Sequence, residues 1–352
     1  MGEREVPLRW GLLAFLTMTF FTLAFGEFMT GGIVVTPLTP IGLLVLYPFV
    51  PLTYGLGALL VREVTLRWRK GWGTKILLAG AYALVLQGLF THVLFGPASS
   101  PDVGFYGTYG RWLGVNWGLA PLALYEDGIV AIGLGLFLTD EILPRIKGRA
   151  IVPRIAWAPL LVGLAALLAW DYIYINANND LPPTVAFAST PPLPTLLLLS
   201  SVIAALVLLA WRVPRDLLRP WTELPAVSPF WMTGVGLAAF GGMALYGGVL
   251  TRRIPWPAVA ILLYGALGLL LLGLTLRWVG ERVGLAQRGA LVLGAILPWA
   301  VFDLSLAAGG DVGALAVAGL VLLLILYAVR KGYQEGSRGR RGSGFGPAKP
   351  AP

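Results

Sequence analysis

Residues 257–276 read PAVAILLYGALGLLLLGLTL, twenty positions without one charged side chain, with Arg252 and Arg253 just before them and Arg277 directly after. In a helix rising 1.5 Å per residue, about 20 apolar residues match the roughly 30 Å hydrocarbon core of a bilayer. Inside that core every backbone N–H and C=O needs an internal partner. The stretch shows no alternation of period two, so it reads as a transmembrane helix rather than a barrel strand.

Nine similar runs surround it, at 10–29, 41–61, 76–95, 118–139, 155–174, 194–211, 229–250, 289–308 and 312–329. The chain of 352 residues is 57% hydrophobic and only 12% charged, whereas soluble chains carry charge at about a quarter of their positions. The expected fold class is therefore all-α, a polytopic transmembrane bundle of about ten spans. Residues 1–331 form one membrane domain, which leaves no room for a sizeable soluble one. Residues 332–352, GYQEGSRGRRGSGFGPAKPAP, have almost nothing to bury and are expected to be a disordered basic tail.

The net charge of +9 resembles a nucleic-acid signal until the basic residues are located. With a cytoplasmic N-terminus, 23 of the 26 lysines and arginines fall in inside segments, and only Arg111, Arg252 and Arg253 fall outside. This bias is the positive-inside rule, and it places both termini in the cytoplasm. The partner is expected to be the lipid bilayer, with anionic headgroups under the tail arginines and no nucleic acid. Ala24-Phe25-Gly26 has the look of a signal-peptide cleavage site, but the first apolar run continues through Phe28, so it reads as retained. The localisation expected is a prokaryotic inner membrane.

Ionisable residues within spans are costly and so are candidates for function. They are Glu27, His92, Glu126, Asp127, Asp171 and Asp303, all in the outer half under this topology. Glu27, His92 and Asp171 lie near enough to the headgroups to hydrate cheaply, while Glu126, Asp127 and Asp303 lie deeper. No lysine or arginine within a span neutralises the deeper three, which need donors, water, a proton or a cation. Neighbours on a helix point about 100° apart, so one of Glu126 and Asp127 is expected to face the bundle and the other a neighbouring helix. Arg111, in the long outer loop 96–117, is a natural partner for one of these acids. In the same loop Tyr106, Tyr109, Trp112 and Trp117 form an interfacial belt or a lid over the acidic cavity. A second outer loop, 175–193, carries Asn176, Asn178, Asn179 and Asp180.

Pro48, Pro51, Pro298 and the glycines of the seventh run interrupt their helices. Close packing is the simple reading, and a broken helix lining a substrate path is the functional one. The absence of cysteine excludes disulfides, thiolate metal sites and cysteine nucleophiles. No Walker loop, GxGxxG after a strand, HExxH or GxSxG occurs, and no cofactor is expected.

Residues 54–95, YGLGALLVREVTLRWRKGWGTKILLAGAYALVLQGLFTHVLF, then YGRWLGVNW at 109–117 and LYEDG at 124–128, resemble an uncharacterised family of prokaryotic multi-pass membrane proteins. That family is in turn distantly similar to the CAAX-protease and bacteriocin-processing (CPBP) intramembrane superfamily. The resemblance covers roughly residues 15–145, and ALLVREV and YGRWLGVNW are its most specific pieces. It implies Glu-Glu-Gly where this chain has Leu86, Gln87 and Gly88, and a histidine near Tyr125 where this chain has Glu126. In the superfamily such residues would bind metal or activate water. A glutamine is no general base, and Leu86 and Gln87 argue against protease chemistry. Arg62 and Glu63 match the family's positions at the end of the second helix and read as an interfacial pair. The leading expectation is a non-catalytic scaffold or a binder of a small-molecule ligand on a CPBP-like core. A proton- or cation-coupled secondary transporter using Glu126 or Asp303, and a diverged hydrolase using Glu126 and His92, are the alternatives.

Overall fold

A computed structural model describes residues 6–28, 47–95, 108–177, 191–218, 228–245, 250–278, 283 and 285–308, with six further positions between 319 and 330. The tail 332–352, Tyr106, Asn178, Asn179 and Asp180 lie outside the described residues, as do the side chains of Glu27, Asp171 and Asp303.

The described chain is predominantly helical. Helix α1 (Leu8–Leu23) widens into a π-helical segment, π1 (Ala24–Phe28). Helix α2 spans Tyr47–Arg67 with Pro51 inside it, and α3 (Trp72–Leu84) runs into π2 (Val85–Phe90). A short α4 (Ala120–Ala123) leads through π3 (Leu124–Leu134) into α5 (Gly135–Ile142). Then follow α6 (Trp157–Ala177), α7 (Leu193–Arg212), α8 (Pro229–Leu245), α9 (Thr251–Arg253), α10 (Pro257–Trp278) and α11 (Leu285–Ala308), the last with Pro298 inside it.

Among the described residues, five helical stretches are long and apolar enough to cross a membrane: Leu8–Gly26, Trp72–Phe90, Ala120–Ile142, Leu193–Arg212 and Pro257–Arg277. Several of their hydroxyl side chains find a partner within their own helix. Thr22, Thr139 and Thr275 donate to the carbonyls of Met18, Gly135 and Leu271 four residues back, at 2.7–2.8 Å. This back-bonding is how a threonine sits in an apolar helix without an orphaned donor.

Glycines set how closely the helices approach. At Gly236 of α8 a Cβ would lie 2.3 Å from the Leu291 carbonyl oxygen, and at Gly294 of α11 one would lie 2.0 Å from that of Thr233. The glycines of the seventh and ninth runs thus let two backbones touch. Around α2, a Cβ at Gly57 would enter the Tyr82 ring at 2.1 Å.

The chain departs from the all-α expectation in the segment before α4. Strands β1 (Arg111–Trp112) and β2 (Val115–Asn116) pair antiparallel, with Arg111 opposite Asn116 and Trp112 opposite Val115. Leu113 (φ 50°) and Gly114 (φ 78°) make the turn, the two positive φ values that a tight hairpin requires. The hairpin is docked, because the Thr195 hydroxyl donates to the Leu113 carbonyl at 3.0 Å and the Tyr109 hydroxyl to that of Ile254 at 3.0 Å. Partial burial holds the Tyr109 phenol above the ordinary tyrosine range.

Replacing Gly294 by alanine should lower the thermal midpoint in mild detergent by several degrees, an overpacking cost of about 1–3 kcal/mol. Gly265→Ala on α10, where a Cβ meets nothing within 4 Å, should leave the midpoint unchanged or slightly raised. Equal midpoints for the two variants would refute the close α8–α11 crossing.

Candidate functional site

Tyr54 lies one turn after Pro51 on α2, Gln87 sits in π2 and Asp127 in π3. The three side chains meet. The Tyr54 hydroxyl donates to Asp127 Oδ1 at 2.8 Å, and the Gln87 amide Nε2 donates to Asp127 Oδ2 at 2.7 Å. The Thr91 hydroxyl in turn donates to Gln87 Oε1 at 3.3 Å, which holds the amide with its nitrogen towards the acid. Tyr54 and Asp127 are both 1% exposed. A buried carboxyl without partners would be prohibitively costly, and two short bonds from neutral donors offset that cost.

Segments π1, π2 and π3 gather here. Segment π1 packs on π3, and Gly26 in π1 abuts Tyr54 so closely that a Cβ would lie 2.5 Å from its ring. A π turn carries one residue more than the hydrogen-bonding pattern of an α-helix accommodates, and such turns gather at functional sites. Next to Tyr54, α2 is braced again where the Tyr82 hydroxyl donates to the Thr53 carbonyl at 2.7 Å.

Of the other residues singled out from the sequence, Glu126 is half-buried on π3 beside Asp127. His92 is buried at the turn after π2, in a left-handed conformation (φ 56°), with its ring edge-on to Phe95 at 6.3 Å. Arg111 is half-buried on the hairpin, opposite Asn116. Among the described residues no group of three or more His, Asp or Glu side chains could hold a metal ion. Tyr54 is the member of the site that sequence reading missed. The available signal was Tyr54 and Gly26 as a bulky and a small residue on neighbouring helices, with a phenol at membrane depth that needs an acceptor.

A second buried polar knot closes the far end of α2. Arg62 is 1% exposed and spends its guanidinium on Asp140 Oδ1 (3.3 Å), Glu63 Oε1 (3.3 Å) and the carbonyls of Arg149 (3.0 Å) and Ile146 (2.6 Å). Glu63, fully buried, also accepts from the Ile151 backbone N–H at 2.8 Å. Arg67 donates to the Val152 carbonyl and lies over the Trp157 ring, and Lys75 lies 3.6 Å from Asp140. The two residues read from the sequence as an interfacial pair do pair, and both are buried among further partners. The guanidinium is a clasp that holds the loop between α5 and α6 against α2.

Neither a known family, a curated protein nor a solved structure matches the chain.

The Asp127 site makes a paired prediction. Gln87→Glu replaces a donor by a second acid at 2.7 Å and should cost about 1.5–3 kcal/mol of stability. The exchanged pair Gln87→Glu with Asp127→Asn restores one donor facing one acid and should recover most of that loss. Thermal unfolding of the single and double variants measures both, and a double variant no better than Gln87→Glu alone refutes the contact.

Proposed function

We infer that the chain is a non-catalytic integral membrane protein of a prokaryotic cell membrane, a scaffold or small-ligand binder with ten spans and both termini in the cytoplasm. The observation that carries the non-catalytic part is the engagement of both Asp127 oxygens by Tyr54 and Gln87, at 2.8 and 2.7 Å. A base that activates water needs a free lone pair aimed at that water. Each oxygen of this carboxyl accepts one bond that ties α2, π2 and π3 together, and at 1% exposure its remaining lone pairs do not face solvent. Gln87 stands where the resemblance implied a glutamate, one position along from Glu126 stands Asp127, and the two touch. That arrangement suits a protease-like helical core whose acid–base pair has become a structural tie.

A secondary transporter is the second reading. Half-buried Glu126, next to Asp127 on a π-helical turn, is the observation that favours it.

Ten spans rest on the ten apolar runs and on the segregation of 23 of 26 basic residues. The absence of cysteine makes a direct test simple. Single cysteines at Lys70, Lys147 and Arg215 should react with an impermeant maleimide only after the membrane is opened, and cysteines at Asp102 and Asp180 should react in intact cells. Labelling of 70 and 102 from the same side would overturn the topology.

The non-catalytic reading predicts that purified protein carries the same trace of zinc as its Glu126→Gln variant. It also predicts that proteoliposomes take up protons no faster than empty vesicles. Zinc bound by the wild type and lost from the variant would establish the hydrolase instead, and proton uptake abolished by Glu126→Gln would establish the transporter.

A further inference from the structure

Helix α11 meets the rest of the bundle along one stripe. Val292 and Ile296 are fully buried in the apolar cluster that also holds Phe21, Phe25, Tyr54 and Leu138, and one turn before them Arg288 donates to Glu141 Oε1 of α5 at 2.7 Å. Side chains at i, i+4 and i+8 lie on one face of a helix, so these three residues seat α11 on the helices around the polar site. On its other side α11 is pressed backbone to backbone against α8 at Gly236 and Gly294, with Met232 and Ala290 buried in a small core of their own. Backbones in such contact leave no room to slide, so α8 and α11 form one unit.

The ion pair under this unit is built to part. Lys147, in the turn after α5, donates to the same Glu141 Oε1 at 2.6 Å. Two cations on one oxygen repel each other, and when Arg288 leaves, Glu141 keeps a counter-ion. Parting therefore strands no acid, unlike the Arg62 knot, where a lost partner leaves a buried charge alone. All three side chains reach solvent, Lys147 to 49%, Arg288 to 16% and Glu141 to 12%, so water can take over the freed guanidinium.

Pro298 supplies a bending point. It has no N–H for the Gly294 carbonyl, which weakens α11 just beyond Ile296. Arg288 precedes Pro298 by ten residues, roughly 15 Å along the axis, so a bend of about 20° carries the guanidinium about 5 Å. That distance breaks its bond to Glu141 outright.

We propose that Arg288 and Glu141 form the catch of a movable arm: when the pair parts, the Arg288 half of α11, with α8 against it, swings about Pro298 and uncovers the apolar cluster beside the Asp127 site. The motion depends on the ion pair and not on what the site binds.

The chain has no cysteine, so Ile155→Cys before α6 and Phe230→Cys on α8, both at highly exposed positions, take two nitroxide labels and no others. Double electron–electron resonance on the full chain in mild detergent reads the distance between bundle and arm. The labelled parent should give one main distance and a minor one displaced by about 5 Å. Arg288→Gln should raise the minor population about five-fold or more, and Lys147→Gln, which removes the rival cation, should shrink it. The exchanged pair Glu141→Arg with Arg288→Glu should return the parent's main distance. A distribution that Arg288→Gln leaves unchanged overturns the proposal, even where that variant melts earlier, because the pair is then a fixed tie. Opening of the arm by Lys147→Gln overturns it as well. A spread in Arg288→Gln that the exchanged pair fails to narrow marks unfolding rather than a swing, and it too sinks the arm.

Discussion

A guanidinium sealed from solvent needs partners inside the protein, and Arg62 finds them for each of its three nitrogens in two carboxylates and two backbone carbonyls. Removing one partner of such a knot would leave an uncompensated charge in the interior, a loss of about 3–5 kcal/mol. Because two of the acceptors are carbonyls of the α5–α6 connection, that connection has one place to lie. The positions of α1, α2, α5 and α6 at this end follow from it, since Gly11 of α1 comes within 3.7 Å of the Ile151 carbonyl for a Cβ and Trp157 receives Arg67.

Helix α2 is the element on which both polar knots are strung. Tyr54 and Arg62 stand eight residues apart, a little over two turns, and each reaches across to the segment that runs from π3 through α5. One crossing is pinned by a neutral phenol and an amide, and the other by charges. Between them the contact is apolar and close, with Ala58 and Leu59 buried among Ile132 and Leu136. A pair of helices pinned at two levels resists both sliding and rotation, so the remaining helices can pack on a fixed core.

Much of the fold was legible in the sequence because a bilayer imposes a length. Runs of about twenty apolar residues had to be helical, and the helices stand on them, with Pro51 and Pro298 inside as read. The hairpin at 111–116 was not legible, since two-residue strands leave no periodicity and the Leu113–Gly114 turn lacks an Asn-Gly or Asp-Gly signature. Asp127 drew notice for being ionisable at depth, and Gln87 for standing where the resemblance implied a glutamate. Tyr54 did not, because a tyrosine in an apolar run reads as hydrophobic surface and its acceptor lies 73 residues away. The burial of Arg62 escaped for a similar reason, because its partners include main-chain carbonyls, which no residue type announces. The π segments were equally silent, since helices apolar on most sides carry no stripe whose phase could shift.

The crowding of three π segments around one acid has a mechanical meaning. A wide turn is not fixed in place, for exchanging one i→i+5 bond for an i→i+4 bond on one side and the reverse on the other moves it along the helix by a residue. Each such step swivels the intervening side chains by about a quarter of a turn, the angle that separates neighbours on a helix. On π3 that swivel would carry Asp127 away from Tyr54 and Gln87, so the two bonds to its carboxyl act as a detent against it. The wide turns are thereby kept in a single register, latched by one acid.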